Sequence, residues 1–224
     1  MIRVYAVVEG QTERALVKDV LAPHLASLEV YLSPIVVQTS PGYRGGGSSW
    51  KKWENDIRTT LKQKPGVDVR VTTLFDLFRL PGDFPEFKQI SRECDTKRRC
   101  DNLEAAMTGV FDDPRFIPYI QRHEVEALVL ASLDSLPELF DDEQALKGIS
   151  ELKRELGEQH PEDVNDGPET APSKRLQKHL IGYRKVLHGP DAVKFTKLAV
   201  VRRRCPRFDK WMEGLEALSP EATE

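Results

Sequence analysis

Apolar positions along this chain gather into short continuous runs that alternate with stretches of helical spacing. The run RVYAVV (3–8) reads as a buried strand. Glu9, Gly10 and Glu13 follow it, with Gly10 letting the chain turn into a helix that begins near Thr12. In that helix Leu16, Val17, Val20 and Leu21 share one side, and Pro23 ends or kinks it. SPIVVQTS (33–40) predicts a second buried strand. PGYRGGGSSW (41–50) predicts a flexible loop with a serine N-cap for a helix carrying Trp50, Trp53, Ile57 and Leu61. VDVRVTTLFD (67–76) predicts a third strand that stops at Asp76. A helix around 101–111, with Leu103, Met107 and Val110, and a fourth strand in RFIPYIQ (115–121) complete the alternation. The chain runs on through RHEVEALVLAS and reads helical beyond Ser132, interrupted by EQHPEDVNDGPETAPS (158–173), its most loop-like stretch.

Strands alternating with helices specify an α/β fold, here a parallel four-stranded sheet flanked by helices. The pattern divides the chain into an α/β domain over 1–132 and a helical C-terminal extension over 133–224. With 224 residues, 39% of them hydrophobic, the chain can bury a real core. No apolar run nears the ~20 residues that span a bilayer, and the start MIRVYAVVEG lacks the layout of a signal peptide. Cys94, Cys100 and Cys205 are odd in number and have no ligand-like spacing, which argues against a disulfide framework and a zinc cluster. A cytoplasmic protein with no membrane partner is expected.

The net charge of −3 hides a strong polarity. From Glu124 to Glu169 there are 14 acids and three bases, and from Ser173 to Lys210 there are 12 Lys or Arg and two acids. Such segregation reads either as solvated helical faces that attract each other or as a phosphate-binding surface.

The acids fall at informative places. In a parallel α/β sheet, ligands bind beyond the carboxyl ends of the strands. The first strand ends at Glu9, the third at Asp76, and the fourth runs out at His123, Glu124 and Glu126. A hard divalent cation needs several oxygen ligands, and carboxylates from separate elements provide them without crowding one segment. Glu9, Glu13, Asp76, Glu124 and Glu126 are therefore the candidate ligands of a Mg²⁺ or Mn²⁺ ion. Singly, each has a plainer reading: Glu9 or Glu13 suits the positive end of a helix, and Asp76 can cap a loop. On a strand Glu124 and Glu126 share a face, whereas on a helix His123 and Glu126 do. HEVE is not the His-Glu-x-x-His zinc pattern, and His123 is expected beside the ligands rather than among them.

At these residues the chain resembles the Toprim domain of topoisomerases, primases and OLD-type (overcoming-lysogenisation-defect) nucleases. That pattern is a Glu-Gly after the first strand and an Asp-x-Asp after the third. VVEGQTE (7–13) matches the first part, including the second glutamate typical of OLD-like members, and TLFDLF (73–78) matches half of the second, with Phe78 where the second aspartate would stand. VEGQTE, RGGG, LFD…LP, FIPYIQRHEVEALV, GPETAPSKRL and CPRFDKW are together similar to a bacterial family of uncharacterised Toprim-like proteins, over nearly the whole chain. The resemblance implies a Toprim/Rossmann-like sheet and a divalent-metal-dependent nuclease that cleaves DNA. It also implies a phage-defence or restriction-like setting with an AAA-type ATPase partner. Carried over, Glu9 is a metal ligand or general acid/base, Glu13 its companion and Asp76 the principal metal-binding aspartate. Phe78 departs from the two-metal arrangement, and Glu124 and Glu126 would make up the deficit. Lys174 or Arg175 would supply the cation that steadies the transition-state phosphate.

Residues Leu176, Leu180, Tyr183 and Leu187 recur at helical intervals, so that segment buries its leucines and points its bases outward. Arg44 in RGGG, Lys174, Arg175, Arg202, Arg203, Arg204 and Arg207 are the candidate nucleic-acid contacts. The competing reading pairs these bases with the acidic stretch 124–169. Two other functions stand beside a nuclease: a non-catalytic regulatory or partner-binding subunit with a degenerate site, and a phosphoryl-transfer or hydrolase enzyme acting on nucleotides. Homodimer formation stays open.

Overall fold

The computed structural model describes residues 1–40, 43–44, 49–165, 167 and 169–220. Strand β1 (Ile2–Val8) pairs in parallel with β2 (Val30–Val36), which starts earlier than expected and ends at Val36. The residues beyond it form a small antiparallel pair, β3 (Gln38–Ser40) and β4 (Tyr43–Arg44). Arg44's side chain and Gly45–Gly47 lie outside the described residues, so the RGGG segment is not described as a contact. Strand β5 (Val69–Asp76) pairs in parallel with the other side of β1 and places Leu74 opposite Val8, so Glu9 and Asp76 leave the sheet side by side.

The expected fourth strand is split into β6 (Phe116–Ile117) and β7 (Ile120–Gln121), both parallel to β5. Pro118 lies in the gap and has no amide to give a ladder. Thr73 spans the interruption, its hydroxyl donating to the Tyr119 carbonyl and accepting from the Tyr119 amide, both at 2.8 Å. The sheet order is β2-β1-β5-β6, with β7 continuing along β5.

After β1 the chain enters α1 (Gln11–Leu16), widens into a π-helical turn at Val17–Leu21 and resumes as α2 (Ala22–Ala26). The helix does not end at Pro23; the wider turn before it accommodates a residue with no amide to donate. On one face of the sheet, Trp53 and Ile57 of α3 (Trp50–Gln63), Ile90 of α4 (Phe87–Ile90) and Leu103 and Met107 of α5 (Thr96–Phe111) pack with Val7, Val71 and Phe75.

Beyond the sheet, α6 (Glu126–Leu130), α7 (Glu143–Leu156) and α8 (Pro172–His179) share a cluster that includes Leu130, Ile149, Leu152, Leu176 and Leu180. Gly148 on α7 sits where a Cβ would stand 1.8 Å from the His179 carbonyl oxygen, so the two helices cross at a point that admits only glycine. The chain then returns through α9 (Lys185–Thr196), α10 (Leu198–Arg204) and α11 (Pro206–Glu216) to cover the second face. Val193, Val201, Phe208, Trp211 and Leu215 pack with Val4, Ala6 and Val8. Trp211 donates its indole N–H to Thr72 Oγ1 at 3.0 Å and stacks on Tyr119. Residues on either side of position 132 thus share one core.

Candidate active site

Glu9, Glu13, Asp76, Glu124 and Glu126 are all buried at the carboxyl edge of the sheet. Register explains the first pair. Glu9 follows the last residue of β1, and its Oε1 accepts the Asp76 amide at 2.5 Å. Asp76 closes β5, and its Oδ1 accepts the Val125 amide at 2.8 Å, fixing the entry to α6. Glu13 projects from the first turn of α1. Gly10 is extended there (φ −153°), so its backbone angle does not demand glycine. A Cβ at Gly10 would instead stand 3.2 Å from Glu13 Oε2, and glycine leaves room for that carboxylate.

Their convergence has an electrostatic cost. Burial, then the carboxylates of Glu9, Glu13, Glu126 and Glu124, raise Asp76 well above its ordinary range. Burial and the neighbouring Glu13 push Glu9 up to about 8, against the Asp76 amide, Arg79 and Lys185. Burial raises Glu13 as well, opposed by local amides, Lys185 and Arg79. Glu126 rises to about 7, again chiefly by burial, with Lys185 opposing it. Its Oε1 has no hydrogen-bond partner and lies 3.8 Å from Lys185 Nζ. The Tyr183 hydroxyl is likewise buried without a partner, and burial, then Glu126 and Glu124, drive it upward.

Glu124 is engaged differently. Its two oxygens accept the amide and hydroxyl of Ser173, each at 2.9 Å, which ties α8 to the sheet edge. His123 adopts a left-handed backbone (φ 65°), and its carbonyl accepts the Phe78 amide at 3.2 Å. Burial and then Arg122 lower its imidazole to about 4. A cleft of about 600 Å³ opens beside these acids, with Phe78, Arg79, Glu124, Lys174, Gln177 and Lys185 on its walls.

These carboxylates suit a hard cation by donor type, by burial and by Glu126 Oε1, which receives no hydrogen bond and has only Lys185 at 3.8 Å. Among the described residues, no three His, Cys, Asp or Glu side chains already stand grouped as one ion's ligands. The fit is therefore one of donor chemistry, and a shared shell requires side-chain rotation.

The basic residues divide. Lys174 is exposed on the cleft wall. Arg175 is buried, paired with Glu155 and donating to the Thr170 carbonyl at 2.8 Å. Arg202 pairs with Asp209 and Glu216, and Arg207 with Asp101 and Glu104. Arg204 donates to the Ala131 carbonyl at 3.1 Å and lies 3.7 Å from Asp134, while Arg203 is exposed. Arg175 and Arg204 thus answer acids of the stretch 124–169, whereas Arg202 and Arg207 pair with acids outside it. Arg79 and Lys185 both act on these acids, and neither is among the candidate residues read from the sequence. Arg79 follows Asp76 by three residues, which was a usable signal; Lys185 reaches the acids only because α9 packs back against α1.

The family described as Domain of unknown function (DUF4276) matches residues 8–216. No curated protein matches the chain significantly. Among solved structures, the C-terminal region of the Xanthomonas campestris pv. campestris OLD protein is similar at 14% identity and a TM-score of 0.42, covering 100% of this chain and 99% of that one. Likeness at that level fixes neither fold nor function. Among the described residues, no helix is long and apolar enough to cross a membrane.

Proposed function

This chain belongs to the DUF4276 family, and within it we propose a divalent-metal-dependent nuclease of Toprim-like type that cleaves DNA phosphodiester bonds. The observation that carries the reading is the meeting of Glu9, Glu13, Asp76 and Glu126, buried at one sheet edge and raising one another's proton affinity. Such a cluster costs stability unless a cation offsets it. Glu9, Glu13, Asp76 and Glu126 would hold Mg²⁺ or Mn²⁺. The bound ion supplies polarisation of the phosphate and a more acidic water.

The chain's own groups have separate tasks. The Asp76 amide fixes Glu9 by Oε1 and so orients the other oxygen toward the neighbouring carboxylates, where it would meet the ion once its proton has left. In hydrolysis, water forms the new P–O bond, the P–O bond to the leaving strand breaks, and the proton passes to the leaving oxygen. Lys185 and Arg79 offset the carboxylate charge, and Lys174 on the cleft wall offsets that of the incoming phosphate. An AAA-type ATPase partner is part of the same proposal, carried by the sequence resemblance.

A non-catalytic partner subunit is the second reading. It is favoured by Phe78 in place of a second aspartate and by the lack of a ready three-ligand group among the described residues. Circular plasmid incubated with Mn²⁺, with and without a candidate ATPase, decides between them. Asp76→Asn and Glu9→Gln should each lower nicking by at least about 100-fold while the fold persists. No cleavage under any condition, or cleavage by both variants at the wild-type rate, favours the non-catalytic reading.

A further inference from the structure

We propose that Phe78 is a stacking platform for an unpaired nucleobase, so that the site takes single-stranded or locally unpaired DNA rather than continuous duplex. This deepens the nuclease reading and rests on it. Phe78 is 38% exposed, although the core has room for most of the chain's large aromatic side chains. It lies two residues beyond Asp76 and forms part of the cleft wall next to the buried acids.

Exposure here does not mean freedom. The Phe78 amide donates to the His123 carbonyl at 3.2 Å, and its ring leans on the His123 imidazole with centroids 5.2 Å apart at 51°. An aromatic group is thus anchored at its backbone and against one neighbouring ring, with part of its surface open to a cleft of about 600 Å³. That volume falls within the range of small-molecule sites. The other walls match the remaining parts of a nucleotide. Arg79, Lys174 and Lys185 supply positive charge for phosphate, and the Gln177 amide can meet the polar edge of a base.

A base inside a duplex has both faces covered by its neighbours. A phenylalanine can take a face only where the stack is open: at a single strand, a flap, a frayed end or a flipped nucleotide. A second aspartate at position 78 would serve ions; a phenylalanine serves a π-face.

Binding measured without divalent ions separates this proposal from cleavage. The probes are a short single-stranded oligonucleotide carrying 2-aminopurine and the duplex of the same sequence. Phe78→Leu keeps apolar bulk and removes the ring, and Phe78→Trp keeps a stacking face. Phe78→Leu should weaken single-strand binding by roughly 5- to 150-fold while duplex binding shifts by less than about twofold, and Phe78→Trp should restore the loss with quenching of the base analogue. Melting temperatures close to wild type establish that both variants fold. If Phe78→Leu weakens both probes equally, or neither, while the wild type still nicks plasmid, the stacking proposal is wrong and the nuclease reading stands. A wild type that neither binds the single strand nor nicks overturns both.

Discussion

Arg207 and Asp76 are both charged groups withdrawn from water, and the molecule treats them in opposite ways. The Arg207 side chain is 10% exposed, pairs with Asp101 and with Glu104 at 2.5 Å, and donates to the Ile120 carbonyl at 3.2 Å. Arg175 and Arg202 are answered in the same manner by Glu155 and by Asp209 and Glu216. Asp76 instead faces Glu9, Glu13, Glu126 and Glu124, with Lys185 and Arg79 acting only from the margin of the group. Charge among the C-terminal helices is matched for stability. Charge at the sheet edge is left in excess, as expected where a fold sacrifices stability for a ligand.

Removing one member from each region should break the comparison most sharply. Arg207→Ala leaves the half-buried Glu104 with the Ile120 amide but without its cation, and should cost about 3 kcal/mol, several degrees of melting temperature in a chain of this size. Asp76→Asn keeps the oxygen that accepts the Val125 amide while removing a group whose ionisation burial and the neighbouring carboxylates oppose. It should raise the melting temperature of the metal-free protein near pH 8. Denaturant titration of both variants checks the opposite signs; a loss of stability in both would show that the acids are balanced after all.

Acidity should sharpen the contrast. A carboxyl raised by burial binds its proton more tightly in the folded state than in the unfolded one. Its contribution is therefore complete below the ordinary value of 4.5 and is lost as pH rises through about 7 for Glu126 and about 8 for Glu9. The metal-free melting temperature should fall between about pH 5 and pH 8, and Mn²⁺ should restore more of it at the upper end, where protons no longer compete. A double Glu9→Gln, Glu126→Gln variant should flatten the profile. The smallest effect concerns Lys174. If it touches one phosphate, Lys174→Ala should reduce the log–log salt slope of single-stranded DNA binding by about 0.7, whereas Arg202→Ala should leave the slope unchanged and lower stability.

Much of this was legible in the chain itself, for definite reasons. Apolar runs that stop at Glu9 and Asp76 mark strand ends, and strand ends in a parallel sheet share an edge. The split of the fourth strand was also written there, in Pro118, although its repair by Thr73 was not, since 46 residues separate Thr73 from Tyr119. Glu124 looked equivalent to Glu126 because spacing does not reveal that Ser173, 49 positions away, occupies both its oxygens. The arginines looked available for the same reason: Glu155, Asp101, Glu104, Asp209 and Glu216 meet them only after the helices pack. Local pattern locates a charged residue on an element, but tertiary contact decides whether that charge is satisfied.

The central claim is that the unmatched carboxylates form a divalent-cation site. Calorimetric titration of Mn²⁺ into the protein near neutral pH, in two buffers of different ionisation heat, tests it most directly. Binding should be saturable and release protons, because Glu9 raised to about 8 must give up its proton to take the ion, and Asp76→Asn should abolish it. No saturable binding at millimolar Mn²⁺, or the same binding in Asp76→Asn, would contradict it.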